Sequence, residues 1–481
     1  MLSENATIIW LLLFSTLFAV AGILYARRHN DSLESYIIAR NTQGSFATML
    51  TLMASSLGAW ILFSPAQAAT WGGIGAVIGY ALGSMAPRFA MIPLGSRMLT
   101  LMPKGHTLTE YVITRFGKPM YALTLIIMMF YMFISLTAEI TAMAKLVTLI
   151  APIPLWVTAA IVLIATLSYT YFGGLRASIF TDKVQMLVII PLLFLLVVFG
   201  WNAVGGITPT VDKLKETAPQ LLEMTSSVGI KAGLTFFVAI LLTGLFHQGN
   251  WQRIYAAHND KAMRNGFLMG GVFVAPVIFI MGLFGLAFMA WTPDGDDSVA
   301  LFSVLVSSLP LWFIILLIPL GLALVMSSAD TAISAVSSLI AVDAKRIMPH
   351  LTSRQLMALS RWLVILLAIP VWYTSAKGLS VLYLFLLADL LCSAAAFPVF
   401  YGLYSKRVTG TQATIATVIG LIASLYLFPT PTGPMDYLLE SFLVAAFIPA
   451  IICLILERTT KKTYDFDELK EIKGLDQQVS K

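Results

Sequence analysis

The sequence predicts an all-α integral membrane protein with about thirteen transmembrane helices. Three observations carry this: a hydrophobic fraction of 58%, a charged fraction of only 11%, and many apolar runs long enough to cross a bilayer. A soluble domain is about 45–50% apolar and about 25% charged. With mean hydropathy +0.87, 481 residues carry too few charges to clothe a water-facing surface. A soluble enzyme, a nucleic-acid module and a disordered scaffold are excluded. Two cysteines, Cys392 and Cys453, lie in apolar runs, which argues against a disulfide framework or metal cluster.

A spanning helix needs about 20 mostly apolar residues. Such runs fall at approximately 7–26, 45–70, 73–102, 118–150, 155–173, 182–203, 231–250, 265–292, 309–342, 357–376, 379–404, 411–428 and 435–457. The first does not read as a cleaved signal peptide, because Arg27 and Arg28 follow the apolar run instead of preceding it. The runs lack the ten-residue alternation of a barrel.

The positive-inside rule sets the orientation. With the N-terminus outside, all Lys and Arg except Lys145, Lys213, Lys215, Lys231 and Lys377 fall inside. That inner set includes Arg88 and Arg253. A multi-pass protein of the plasma (inner) membrane follows, with N-terminus out and C-terminus cytoplasmic. The tail from Glu457 to Lys481 mixes both signs and reads as a solvated cytoplasmic end. No nucleotide-binding loop or kinase signature is recognisable, so gradient-driven transport is expected rather than enzyme chemistry. The partners are then a small-molecule solute and membrane lipid.

Ionisable residues at membrane depth are costly and mark function by default. Four acids qualify: Glu139, Asp182, Asp330 and Asp389. Each has a plainer reading, Asp182 as an interfacial cap and the others as buried struts. Two runs break helical regularity. Ala54-Ser55-Ser56-Leu57-Gly58-Ala59-Trp60 with Ser64-Pro65 can free carbonyls in mid-membrane, which is tolerated where backbone lines a cavity. Met326-Ser327-Ser328-Ala329-Asp330-Thr331 packs hydroxyls and a carboxylate into a long apolar run. Oxygen donors without His or Cys suit a hard cation rather than zinc or copper.

Transporters place broken helices in inverted repeats around a midplane site. The spacing permits an extra helix and loop (1–44), a first repeat (45–230), a second repeat (231–408), two peripheral helices (409–457) and a tail (458–481).

Here the residues resemble a known family. Ser35-Tyr36-Ile37-Ile38-Ala39-Arg40, Thr109-Glu110-Tyr111 with Arg115-Phe116-Gly117, and Gly173-Gly174-Leu175-Arg176-Ala177 through Thr181-Asp182-Lys183-Val184-Gln185 are similar to sodium/solute symporters. Gln252-Arg253-Ile254-Tyr255-Ala256-Ala257 and Pro398 through Lys406-Arg407 extend the match. The resemblance implies a LeuT-type five-plus-five inverted repeat and Na⁺-coupled solute uptake. It implies a Na⁺ site at the carbonyls of Ala54, Leu57 and Leu324 and the hydroxyls of Ser327 and Ser328. Some members hold a second Na⁺. The matching positions here are Asp182, Asp330 and Thr331, where Asp330 replaces a usual hydroxyl and could serve H⁺ instead. Asp389 stands where an apolar or aromatic residue is usual.

The resemblance places substrate contacts on the second, fourth, seventh and eleventh spans. The candidates are Ser56, Ala59, Trp60, Glu139, Phe246, His247, Trp251 and Asp389. The extra acids point toward an amino acid or small amine. A monocarboxylate or urea-like solute is the alternative, as is a solute receptor or channel on the same fold.

Overall fold

The computed structural model describes residues 2–29, 32–305, 309–430, 435–461 and 463–474. Residues 475–481 of the expected tail lie outside them. The helices are α1 (Glu4–His29), α2 (Leu33–Ile37), α3 (Ser45–Ser56), α4 (Ser64–Leu101), α5 (Leu108–Phe116) and α6 (Lys118–Ile150). Then come α7 (Leu155–Ala203), α8 (Ile207–Thr217), α9 (Ser227–Gly244), α10 (Gln248–Ala256), α11 (Asp260–Trp291) and α12 (Ala300–Leu305). The last are α13 (Leu311–Ile347), α14 (Ser353–Ser375), α15 (Val381–Tyr401), α16 (Gly410–Leu427) and α17 (Leu438–Thr459). Among the described residues, eleven helices are long and apolar enough to cross a membrane.

Two of these carry a break that the sequence reads as a boundary between spans. A straight α7 of 49 residues would be more than twice the roughly 30 Å hydrocarbon thickness. It is interrupted at Gly174 (φ 52°, ψ −143°), and α4 at Gly73 (φ 56°, ψ −144°). Only glycine adopts this backbone cheaply. The two breaks fall close to the boundaries that the sequence sets between its runs, at 70–73 and 173–182.

The most buried element is α13: from Phe313 to Lys345 nearly every side chain is enclosed. It packs against α6, α7, α3 and α10. Such a helix can carry polar groups only if its neighbours satisfy them. The peripheral helices α14 and α16 keep much of their apolar surface exposed, including Trp362, Leu366, Ile422 and Tyr426, as lipid-facing helices should.

Two interruptions lie inside spans rather than between them. After Ser56 the chain leaves α3, runs extended through Gly58, and makes a 3₁₀ turn at Ala59–Leu62 before α4 begins. After Gly244 it leaves α9 and restarts as α10 at Gln248.

The tail departs from the sequence reading. Instead of ending in solvent, the chain returns to a 3₁₀ turn, Phe466–Glu471, with Phe466 and Leu469 buried. Tyr464 N–H donates to the Lys406 carbonyl at 2.7 Å, and Arg115 lies over the Tyr464 ring at 4.4 Å.

Candidate functional site

The break after α3 is held open from outside. Glu139, on α6, accepts a hydrogen bond from the Ala59 amide at 2.7 Å and also lies against the Trp60 amide and Ser328. A Cβ at Gly58 would strike this carboxylate, so glycine is what lets α6 approach. Across the break, the Ser327 hydroxyl lies 3.0 Å from the Ala54 carbonyl and 2.9 Å from the Leu324 carbonyl. Ser328 Oγ lies 3.0 Å from the same Leu324 oxygen. Ala54, Leu324, Ser327 and Ser328 are thus brought into one buried oxygen cluster between α3 and α13. Leu57 caps the end of α3 with non-helical backbone (φ −92°, ψ 73°). Hard oxygen donors of this kind suit an alkali cation.

A second polar cluster joins α3, α7, α10 and α13. Asp330 accepts from Ser178 at 2.6 Å, Tyr169 at 2.7 Å and Thr181 at 2.9 Å. Asp182 accepts from the Thr51 hydroxyl and pairs with Arg253 Nη2 at 2.9 Å. Arg253 also donates to Thr331 Oγ1 at 2.9 Å, to Thr51 at 3.0 Å and to the Gly249 carbonyl at 3.1 Å. Sequence reasoning set Arg253 among the cytoplasmic charges; it is 1% exposed. The break before α10 turns this residue inward, where Asp182 and two hydroxyls receive it. Of Asp182, Asp330 and Thr331, read as a second cation or proton site, Asp182 and Thr331 hold the Arg253 guanidinium, while Asp330 is held by the hydroxyls of Ser178, Tyr169 and Thr181.

A cavity of about 110 Å³ opens beside the first cluster. Ser56, Trp60, Glu139, His247 and Asp389 line it, as does Ser328 of the oxygen cluster. Ala59, Phe246 and Trp251 do not. Ala59 contributes its backbone amide to Glu139. Trp251 closes the α9–α10 break instead: its indole N–H donates to the Leu245 carbonyl at 2.8 Å, and its ring stacks on Phe400 at 6.0 Å. Phe246 packs edge-on against the same Phe400 ring.

Sequence reasoning missed Tyr80, Tyr131, Phe385 and, above all, Arg88. The positive-inside count sets Arg88 among the inner-surface charges, yet it is 9% exposed and lines the cavity from α4. The available signal was position: Arg88 sits midway along an apolar run, one helical turn after Ser84.

The model of the sodium:solute symporter family matches residues 36–420. The chain belongs to that family. A spermidine transporter of Candida albicans is 26% identical, the match covering 83% of this chain and 74% of that protein. A sodium/myo-inositol cotransporter 2 of Oryctolagus cuniculus is 24% identical over 84% of this chain and 67% of its own length. Among solved structures, a Na⁺-coupled sialic acid symporter superposes with a TM-score of 0.76 at 17% identity, covering 95% of this chain and 98% of that one. The fold is therefore LeuT-like and the protein is a sodium-coupled solute symporter, not an enzyme.

Proposed function

We propose that this symporter couples Na⁺ entry to uptake of an amino acid or small amine across the plasma (inner) membrane. Asp389 carries the reading. It is a 5% exposed carboxylate on the wall of a cavity lined also by Trp60, Tyr80, Tyr131 and Phe385. Trp60 packs against both Tyr80 and Phe385 at 5.8 Å. Asp330 is met by three hydroxyls and Glu139 by an amide and Ser328. The Asp389 carboxylate instead meets the Thr243 hydroxyl and has room beside it for a cation; the aromatic faces attract an ammonium group. The similarity to a spermidine transporter supports an amine-bearing solute.

Na⁺ sits at Ala54, Leu57, Leu324, Ser327 and Ser328, bridging α3 to α13 beside the solute cavity. One ion suffices, because Arg253 already balances Asp182. The two in-span breaks open the repeats 45–230 and 231–408, and the N-terminus lies outside. Removing Arg88 and Arg253 from the surface charges leaves the inner excess intact.

Proteoliposomes carrying the purified protein test this. An imposed inward Na⁺ gradient should drive accumulation of at least one labelled amino acid or small amine. Uptake confined to sugars or polyols, or indifferent to the Na⁺ gradient, refutes it.

A further inference from the structure

We infer that Arg88 is a specificity-determining residue that holds a carboxylate of the solute, so that the cavity selects a zwitterion over a simple amine. The inference rests on the amine-binding role of Asp389 proposed above and adds a second anchor.

Arginine stays charged in proteins, and at membrane depth its charge needs a partner. The two guanidiniums buried among the spans differ in this respect. Arg253 has Asp182 at 2.9 Å. Arg88 makes no ion pair among the described residues: its bonds go to the Ser84 carbonyl and the Ser56 hydroxyl, both neutral. Its Nε has no hydrogen-bond partner, and the side chain lines the cavity.

The acids on the same wall are not its partners. Glu139 is engaged by the Ala59 amide and Ser328. Asp389, on α15, lines the cavity separately; the Thr243 hydroxyl donates to its backbone carbonyl at 3.3 Å and lies beside its carboxylate, a neutral neighbour only. One cavity therefore displays an unmatched cation on α4 and an unmatched anion on α15. Guanidinium and carboxylate form strong charge-assisted, often bidentate hydrogen bonds. A solute with an ammonium and a carboxylate satisfies both walls, and a plain amine leaves Arg88 buried without an anion.

The test uses the full-length protein in proteoliposomes under a Na⁺ gradient. Labelled proteinogenic amino acids serve as substrates. The competitors are each amino acid, its decarboxylated amine and its deaminated acid. The expected result is inhibition by the zwitterion at concentrations at least tenfold lower than by either single-charge analogue. Arg88→Gln should bring zwitterion and amine within about twofold of each other, and Arg88→Lys should keep part of the preference. Thermal unfolding of each variant checks folding; should Arg88→Gln not fold, the competition profile of the unaltered protein decides alone. Equal competition by amine and zwitterion, or a full preference retained in Arg88→Gln, overturns the assignment while leaving amine transport standing. Absence of Na⁺-driven uptake of every amine and amino acid overturns both.

Discussion

Arg253 Nη2 lies 2.9 Å from Asp182 Oδ2, joining the short helix after the α9 break to the second half of α7. Both side chains are almost wholly enclosed. Removing one partner of a buried pair leaves an uncompensated charge and costs about 3–5 kcal/mol, whereas removing both costs much less. Arg253→Gln should therefore lower the detergent-solubilised melting temperature markedly, and Asp182→Asn in the same chain should restore part of the loss. Additive losses would show that the pair is not the source of the effect.

The same contact bears on ion count. With a guanidinium at Asp182, Na⁺-dependent uptake should show a Hill coefficient of about one. A coefficient clearly above one, returned to one by Asp182→Asn, would place a second sodium ion there. Enhancement of uptake by an inward proton gradient, lost in Asp330→Ser, would place a proton there instead.

Ser327 and Ser328 offer the only side-chain oxygens in the proposed sodium site; its other groups are carbonyls of Ala54, Leu57 and Leu324. Ser327→Ala with Ser328→Ala should raise the Na⁺ concentration for half-maximal uptake at least tenfold, equivalent to about 1.4 kcal/mol. Substitutions at Leu57 that keep its backbone should matter less. Unchanged sodium dependence in the double variant would place the ion elsewhere.

Much of this architecture is legible from hydropathy, because a bilayer forces about 20 apolar residues per crossing. The breaks at Gly58 and the hydroxyl pair at Ser327–Ser328 are legible because polar or helix-breaking residues at depth need a reason. Arg88 and Arg253 were misplaced for one physical cause. A charge in a hydropathy profile looks alike whether it snorkels to the surface or turns into the bundle. The direction is decided by helix rotation and by the α9–α10 break, neither of which is written in composition. The docked tail escaped notice because Phe466 and Leu469 are two apolar residues among many charges.

Gly58 gives a steric prediction. A methyl group there meets the Glu139 carboxylate, so Gly58→Ala should displace Glu139 from the Ala59 amide and impair uptake severely. Adding Glu139→Ser, which clears the space, should recover folding, read as melting temperature. Normal uptake by Gly58→Ala alone would mean that the α6 contact is dispensable.

In the loop before α5, His106 lies between two carboxylates, Glu110 Oε2 at 3.1 Å from Nδ1 and Glu34 Oε2 at 2.9 Å from Nε2. Burial by itself lowers the imidazole's pKa, but the hydrogen bonds and charges of Glu110 and Glu34 outweigh it and raise the value to about 9. For Glu34, burial pushes upward, and His106 together with Arg40 overrides it, bringing the carboxyl down to about 2. The same cluster ties the loop before α3 to the loop before α5, since Arg40 donates to the carbonyls of Pro103 at 3.0 Å and Gly105 at 2.8 Å. A folded-state pKa above the ordinary 6.5 of histidine means that the His106 contribution is complete below that pH and lost as pH rises through about 9. Glu34, lowered from 4.5, contributes fully above that pH and loses its contribution only as pH falls toward 2. Melting temperature should therefore decline between pH 7 and about 9.5, with faster amide exchange in residues 32–44. His106→Gln should flatten this alkaline limb. A limb of the same steepness in that variant would assign the pH dependence to another group.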